Sequence, residues 1–276
     1  MVDSINTNAG SLQGVRSLNK TSSLLRTDQK ELATGKKVND VKDNAAILAV
    51  SQLLESDLAG LGSVKNSLDR ALSTSDVALS AGQGVSELLL ELKEKAVTAA
   101  DPGLDDASRQ ALNNEFSALR DQISGIVGSA EFNGTNAVKS GGEDIVAISG
   151  AEGDGSLTVA AQDLSLGGDN VSLTATQGIG TLAEAQAAVS AIEDSLTNVS
   201  SALAEIGAGS NRLQQTKDFT EALSNTTEEG IGNLVDANLA STNASFEANK
   251  VRQALGIQSL SIANKQPASI LGLFES

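Results

Sequence analysis

The chain contains no cysteine and no histidine. Thiol nucleophiles, disulfides, Cys/His metal sites and imidazole acid–base chemistry are therefore excluded. It also lacks Trp and Tyr, so five Phe are its only aromatic residues. With 276 residues, 40% of them hydrophobic, a core must be built from Leu, Ile, Val and Ala. Narrow helical seams are made of such residues, whereas a compact ligand pocket more often uses rings. No uninterrupted apolar run approaches the roughly 18 residues that a membrane helix needs. The opening MVDSINTNAGSLQGV carries Asp3 and no apolar stretch, so it does not read as a secretory signal peptide. These absences argue against an enzyme, a metal or cofactor site, and insertion into a membrane.

The charge that is present is mostly negative: −16 in all, which disfavours nucleic acid as a partner. Its distribution is uneven. Residues 1–60 carry seven basic and seven acidic side chains, and residues 241–276 carry three and two. The middle, 61–240, carries nine and 26. Neutral ends can crowd together at little electrostatic cost, while an acidic middle prefers water.

Periodicity sets the fold class. A first helix is expected over about 4–33, with Leu18, Leu25 and Leu32 spaced by sevens, ending at Thr34-Gly35. A second, over about 45–99, has a row at Ile47, Leu54, Leu58, Leu61, Leu68, Leu72 and Leu79, with Ser51, Lys65 and Ser75 in the gaps. Asp101-Pro102-Gly103 turns the chain into a third helix over about 105–127. From 130 to 178 glycine pairs punctuate short β-type runs, DIVAI, SLTVAA, DLSL and VSLTAT, which read as hairpin strands. Helix returns near Thr181 with a row at Ala185, Val189, Ile192, Leu196, Val199, Leu203 and Ile206. Gly207 and Gly209 would interrupt it, and a joint is expected near 228–232. The last helix then runs to about Lys265.

The expected architecture is mainly α: a long antiparallel helical coiled-coil rod with a small hairpin-rich region at mid-chain. Its parts are an N-terminal helix (1–40), the first half of the rod (41–130), a strand-rich region (131–180), the second half of the rod (181–232) and a C-terminal helix (233–276). Ends and middle mirror each other, so the first and last helices should be neighbours wound as a left-handed coiled coil.

The last helix has an excess of apolar surface. Val251, Leu255 and Ile262 fall on one side, and Phe246, Ile257 and Leu260 fall nearly opposite. A surface helix needs one apolar stripe. One stripe can meet the Leu18, Leu25 and Leu32 row of the same chain, and the other needs a partner outside it. Further copies of the chain are the economical choice, because a bare leucine row is a liability in water. These nine residues are the candidate self-assembly interface. The plainer alternative is a bundle that buries every row within one chain.

Motifs that look chemical have plainer readings. Thr34-Gly35-Lys36 lacks the upstream glycine of a phosphate loop, with Lys30 in its place, and reads as a helix end. Gly82-Gln83-Gly84 follows no strand and reads as a flexible joint. Glu152-Gly153-Asp154-Gly155 lacks the ligand ladder of a calcium loop. Glu91 with Glu94, and Glu228 with Glu229, read as solvated helix faces. The Ser/Thr-rich stretch 156–176 is where O-linked sugars would be sought.

Six stretches in order carry a resemblance: SINTNAGSL (4–12), TGKKVNDVKDNAAILAVS (34–51), FNG (132–134), IGAGSNRL (206–213), NLVDANLA (233–240) and QALGIQSLSIANKQPASILGLF (253–274). Together the sequence resembles bacterial flagellin over about 1–135 and 185–274, and its short middle is similar to the compact Caulobacter-type flagellins of alphaproteobacteria. The resemblance implies a secreted, extracellular filament subunit that is exported unfolded through the flagellar type III apparatus. It would polymerise with itself beneath a cap, beyond the hook-junction proteins, with terminal helices lining an inner tube. A hook–filament junction protein or a secreted helical adhesin are the competing readings. There are departures from the family pattern. Asp43-Asn44 stands where an Asp pair is usual, Asn238 replaces a second usual Asp, Glu91 replaces an Arg, and the tail ends in Glu275-Ser276. If the missing carboxylates serve subunit contacts, those contacts are paired differently here. Glu91 weighs against recognition by the animal innate flagellin receptor.

Overall fold

The computed structural model describes residues 7–271, with side chains described through Lys265. The expected start of the first helix at Ser4, and the Glu275-Ser276 tail, lie outside the described residues. The elements are α1 (Ala9–Thr34), α2 (Val41–Ala99), α3 (Asp106–Ser129), β1 (Ile145–Ile148), β2 (Ser156–Val159), α4 (Leu182–Val235) and α5 (Leu239–Leu271). The chain is mainly helical with one two-stranded antiparallel sheet. It divides into two compact units, residues 56–226 and residues 1–55 with 227–276.

In the 56–226 unit, α2 and α4 each bury one row at strict 3–4 spacing. On α2 the row is Leu61, Val64, Leu68, Ala71, Ser75, Ala78, Gly82, Val85, Leu89, Leu92, Ala96 and Ala99. On α4 it is Ala185, Ala188, Ile192, Ser195, Val199, Ala202, Ile206, Gly209 and Leu213. This corrects the expected rows by one position at alternate turns. Leu72, Leu79, Val189, Leu196 and Leu203 flank the core half-buried, and Lys65 is exposed. At the alternate turns the central residues are small, Ala71 and Ala78 on α2 and Ala188, Ser195 and Ala202 on α4, which lets the two helix backbones approach, while Leu68, Leu89, Ile192 and Ile206 fill the sites between.

Ion pairs report the direction of the packing. Lys65 meets Glu221 at 2.6 Å, Asp69 meets Lys217 at 2.7 Å and Lys93 meets Glu193 at 2.9 Å. One number climbs as the other falls, so the helices are antiparallel and in constant register. The pairs are solvent-exposed, so they contribute little stability.

Of the glycines expected to act as joints, Gly82, Gly84 and Gly209 are close-approach positions instead, and Gly207 is open. α2 runs unbroken through Gly82 and Gly84, and α4 through Gly207 and Gly209. A Cβ at Gly209 would lie 2.5 Å from Val159 Cγ1.

Buried Arg109 on α3 ties the turn after α2, donating to the carbonyls of Ala99 (2.8 Å), Leu104 (3.0 Å) and Asp101 (3.3 Å). It thereby satisfies carbonyls that a helix end leaves open.

The 130–181 segment holds fewer strands than its sequence suggests. Ile145 pairs with Val159 and Ile148 with Ser156 in the one hairpin. DLSL and VSLTAT form no ladder. Their backbone groups find other partners: Leu164 N–H donates to the Val138 carbonyl, and Gly167 N–H to the carbonyls of Val171 and Leu173. The N–H groups of Ser172 and Leu173 donate to Ser195 Oγ on α4, at 2.9 and 3.4 Å. Leu164, Val171 and Leu173 plug the core without strand neighbours.

Candidate assembly interface

The other unit is built around two helix breaks tied to each other. Asn8 caps α1, its side chain accepting from Ser11 N–H at 2.9 Å. Gly35 ends α1 in the left-handed conformation (φ 71°), its N–H bonded to the Glu31 carbonyl. The chain then runs beside Val235–Asp236–Ala237. Lys37 N–H donates to the Val235 carbonyl at 2.7 Å, and Ala237 N–H to the Gly35 carbonyl at 2.9 Å. Lys36 and Asp236 form an antiparallel bridge, and Val38, Ile231 and Val235 are buried together with it. The joint therefore lies at 236–238. The expected position at 228–232 is helical, because one glycine or two weaken a helix but do not end it.

Two asparagines at family-divergent positions turn out to be helix caps. Asn44 leaves helical geometry (φ −162°, ψ 102°), and its Oδ1 accepts from Ala46 and Ile47 N–H, both at 3.1 Å. The regular part of α2 thus starts at the expected Ala45. Asn238 does the same for α5, accepting from Ser241 N–H at 3.1 Å. An amide oxygen caps as a carboxylate does. Asp43 keeps its carboxylate and accepts from Lys30 Nζ at 2.7 Å and from the N–H groups of Asp40 and Asn39. The Lys30 bond, more than any other contact, holds its pKa below the ordinary carboxylate value.

α1 and α5 pack against each other antiparallel, as the Leu18, Leu25 and Leu32 spacing predicts. Leu25 is 8% exposed, and Leu18, Leu32, Phe246 and Leu260 are half-buried. Between these apolar layers lie polar ones. Asn8 donates to the Ala263 carbonyl at 2.8 Å, Gln253 to Ser22 at 3.1 Å, Asn249 to Asp28 at 2.8 Å and Thr242 to Glu31 at 3.1 Å. Thr242 and Asn249 are the two most buried side chains described on α5. Sequence reading looked for apolar periodicity and so passed over this row. Its signal was a 3–4 spacing of Thr242, Phe246, Asn249, Gln253, Gly256 and Leu260, in which only two members are large and apolar.

The more apolar side of α5 is left in solvent. Val251 and Leu255 are each 57% exposed, Ile257 56% and Ile262 67%. Of the nine candidate residues, five therefore meet inside the chain and four do not. Leu12 and Leu24 on α1, and Val50 and Leu53 on α2, are also exposed. The start of α2 is long and apolar enough by composition to cross a membrane, and it is mostly exposed. Ser51, Gln52, Glu55, Ser56 and Asp57 interrupt the apolar residues around Leu53 and Leu54.

Among the described residues no three acidic side chains converge as a metal site would require. What the geometry offers is exposed apolar surface on paired helices. Comparison with known proteins agrees. Residues 5–140 match the bacterial flagellin N-terminal helical region, and residues 189–274 match the C-terminal helical region. The chain is 40% identical to flagellin FljK of Caulobacter vibrioides and 39% identical to flagellin FljM of the same organism, each over 99% of both chains. A solved structure from Vibrio parahaemolyticus, named as a flagellar hook-associated protein, shares the fold. It matches with a TM-score of 0.58 at 15% identity, over 70% of this chain and 100% of the other. The chain belongs to the bacterial flagellin family. It is a structural subunit of the flagellar filament, not an enzyme.

Proposed function

We propose that the paired terminal helices form the self-assembly interface, and that other copies of the chain cover the row Val251, Leu255 and Ile262. The observation that carries this reading is that row's exposure on a helix already packed through its opposite side. Sealing each such side chain contributes roughly 1.5–3 kcal/mol before entropy is counted. Leu18, Leu25, Leu32, Phe246 and Leu260 then act indirectly, by presenting the row, and Ile257 is exposed on the other side of α5, at the edge of the seam. In this reading 1–40 and 233–276 form the inner tube, 41–130 and 181–232 the helical wall, and 131–180 the outer surface. The even charge of the ends and the acidity of the middle support that arrangement. The chain would travel unfolded through the flagellar export apparatus to the outside of the cell and add beneath a cap, beyond the hook-junction proteins. α1 and α5 would reach full stability only in the polymer, coupling folding to binding.

Seeded polymerisation tests this. Leu255→Asp is expected to abolish elongation on filament fragments while leaving the circular dichroism and thermal unfolding of the free chain unchanged. Wild-type elongation by Leu255→Asp would refute the assignment. Hydrogen exchange should show α5 weakly protected in the free chain and strongly protected in filaments; strong protection beforehand would refute the coupling.

A further inference from the structure

α5 has two rows from which to choose a face for α1, and it buries the more polar one. The row turned inward is Thr242, Phe246, Asn249, Gln253, Gly256 and Leu260. The row turned outward, on the opposite side of the helix, is Ala244, Ala248, Val251, Leu255, Gln258 and Ile262, all exposed and with one polar member. By apolar burial alone the helix should sit the other way round. We infer that the polar layers of the α1 and α5 seam set the rotational phase and register of α5, and so reserve its apolar row for a second copy of the chain.

The partners on α1 explain how. Asp28 and Glu31 lie in or beside the seam and receive donors from Asn249 and Thr242, while Ser22 receives one from Gln253. Asn249 also accepts from Arg252 at 3.1 Å, so its amide is held from both sides. If α5 turned its outer row inward without sliding, Asp28 would face Ala248 and Val251, and Glu31 would face Ala244, in place of their donors Asn249 and Thr242, and a carboxylate pressed into an apolar contact is strongly disfavoured. A shift by one heptad would likewise part each donor from its acceptor. Polar residues in a coiled-coil seam act in this way: they forgo stability in exchange for a single arrangement. Gly14 and Gly256 complete the match, since a Cβ at Gly14 would lie 3.2 Å from Leu260 Cδ1 and one at Gly256 3.5 Å from Leu18 Cδ1.

This inference rests on the assembly reading for its purpose but is tested apart from it. The natural chain has no cysteine, so introduced pairs report geometry without background. A Cβ at Gly14 lies 3.9 Å from Leu260 Cβ, within disulfide range. Gly14→Cys with Leu260→Cys therefore reports the observed phase, and Gly14→Cys with Ile262→Cys reports the rotated one. Both are oxidised in the full-length free chain and in seeded filaments. The first pair should cross-link about tenfold more than the second, and Asp28→Leu with Asn249→Leu should bring the ratio to within about twofold and slow seeded elongation by about tenfold. Asp28→Asn, which still accepts from Asn249, should restore the preference. An unchanged preference in the double-leucine variant would overturn the inference, as would absence of the Gly14/Leu260 cross-link from both free chain and filament. A chain that keeps the preference but never elongates on seeds would refute the assembly reading and leave phase selection supported.

Discussion

Gly82 faces Leu203 with room for hydrogen and nothing larger: a Cβ built on Gly82 lies 2.5 Å from Leu203 Cδ2. Gly82→Ala should therefore lower the stability of the 56–226 unit by about 1–3 kcal/mol. Gly62, on the same helix, meets nothing within 4 Å, and Gly62→Ala should raise stability by about 0.5–1 kcal/mol through the usual helix preference. Chemical denaturation of the two variants side by side checks the contrast. Equal effects would remove the close-approach argument.

Ser195 Oγ is the acceptor for two backbone N–H groups in a segment that forms no ladder. Ser195→Ala removes the acceptor of both, leaving the N–H of buried Leu173 without a partner, and should cost about 1–3 kcal/mol. Faster amide exchange at Ser172 and Leu173, with the rest of the core unchanged, would place the effect where the structure puts it.

The caps give a third prediction. Asn44→Ala and Asn238→Ala should each cost about 1 kcal/mol, whereas Asn44→Asp should be neutral to stabilising by about 0.5 kcal/mol at pH 7, because the carboxylate also meets the helix N-terminus. Amide exchange in the first turns of α2 and α5 measures both. A clear loss of stability in Asn44→Asp would contradict the capping argument, since its carboxylate should accept from the same Ala46 and Ile47 N–H groups.

Acid should loosen the joint at Asp43. Its pKa is lowered first by the Lys30 hydrogen bond and then by the Asn39 N–H. A depressed carboxylate stabilises the fold at pH above its unfolded value, and that contribution is lost as pH falls through the folded one. A carboxyl-carbon NMR titration should find Asp43 below ordinary aspartates, and Lys30→Met should return it towards them. An ordinary midpoint in the wild-type chain would contradict the geometry.

Much of the fold was legible in the residues, for identifiable reasons. The helices, their antiparallel layout and the α1 with α5 pairing follow from periodicity, which is a local signal. The errors all involve contacts distant in sequence. Leu72, Leu79, Val189, Leu196 and Leu203 look like core positions, but their small neighbours Ala71, Ala78, Ala188, Ser195 and Ala202 take the central sites and leave these on the shoulders. DLSL and VSLTAT have strand composition, yet Ser195 and the Val138 carbonyl take up their N–H groups first. The 236–238 joint exists because Lys36 pairs with Asp236, which no window around EEGIG could contain. At the candidate interface, Val251, Leu255 and Ile262 were visible as an excess of grease. The side of α5 that meets α1 was hidden, because Thr242, Asn249 and Gln253 look like surface residues until Asp28, Glu31 and Ser22 stand across from them.

The seam between α1 and α5 joins positions more than two hundred residues apart. A ribosome therefore makes α1 first and leaves it unmatched until α5, more than two hundred residues later, has appeared. No shorter intermediate of synthesis can close that seam, and contacts so far apart along a chain form slowly even when both halves are present. The order of the sequence itself thus delays the mating surface until its later half has been made.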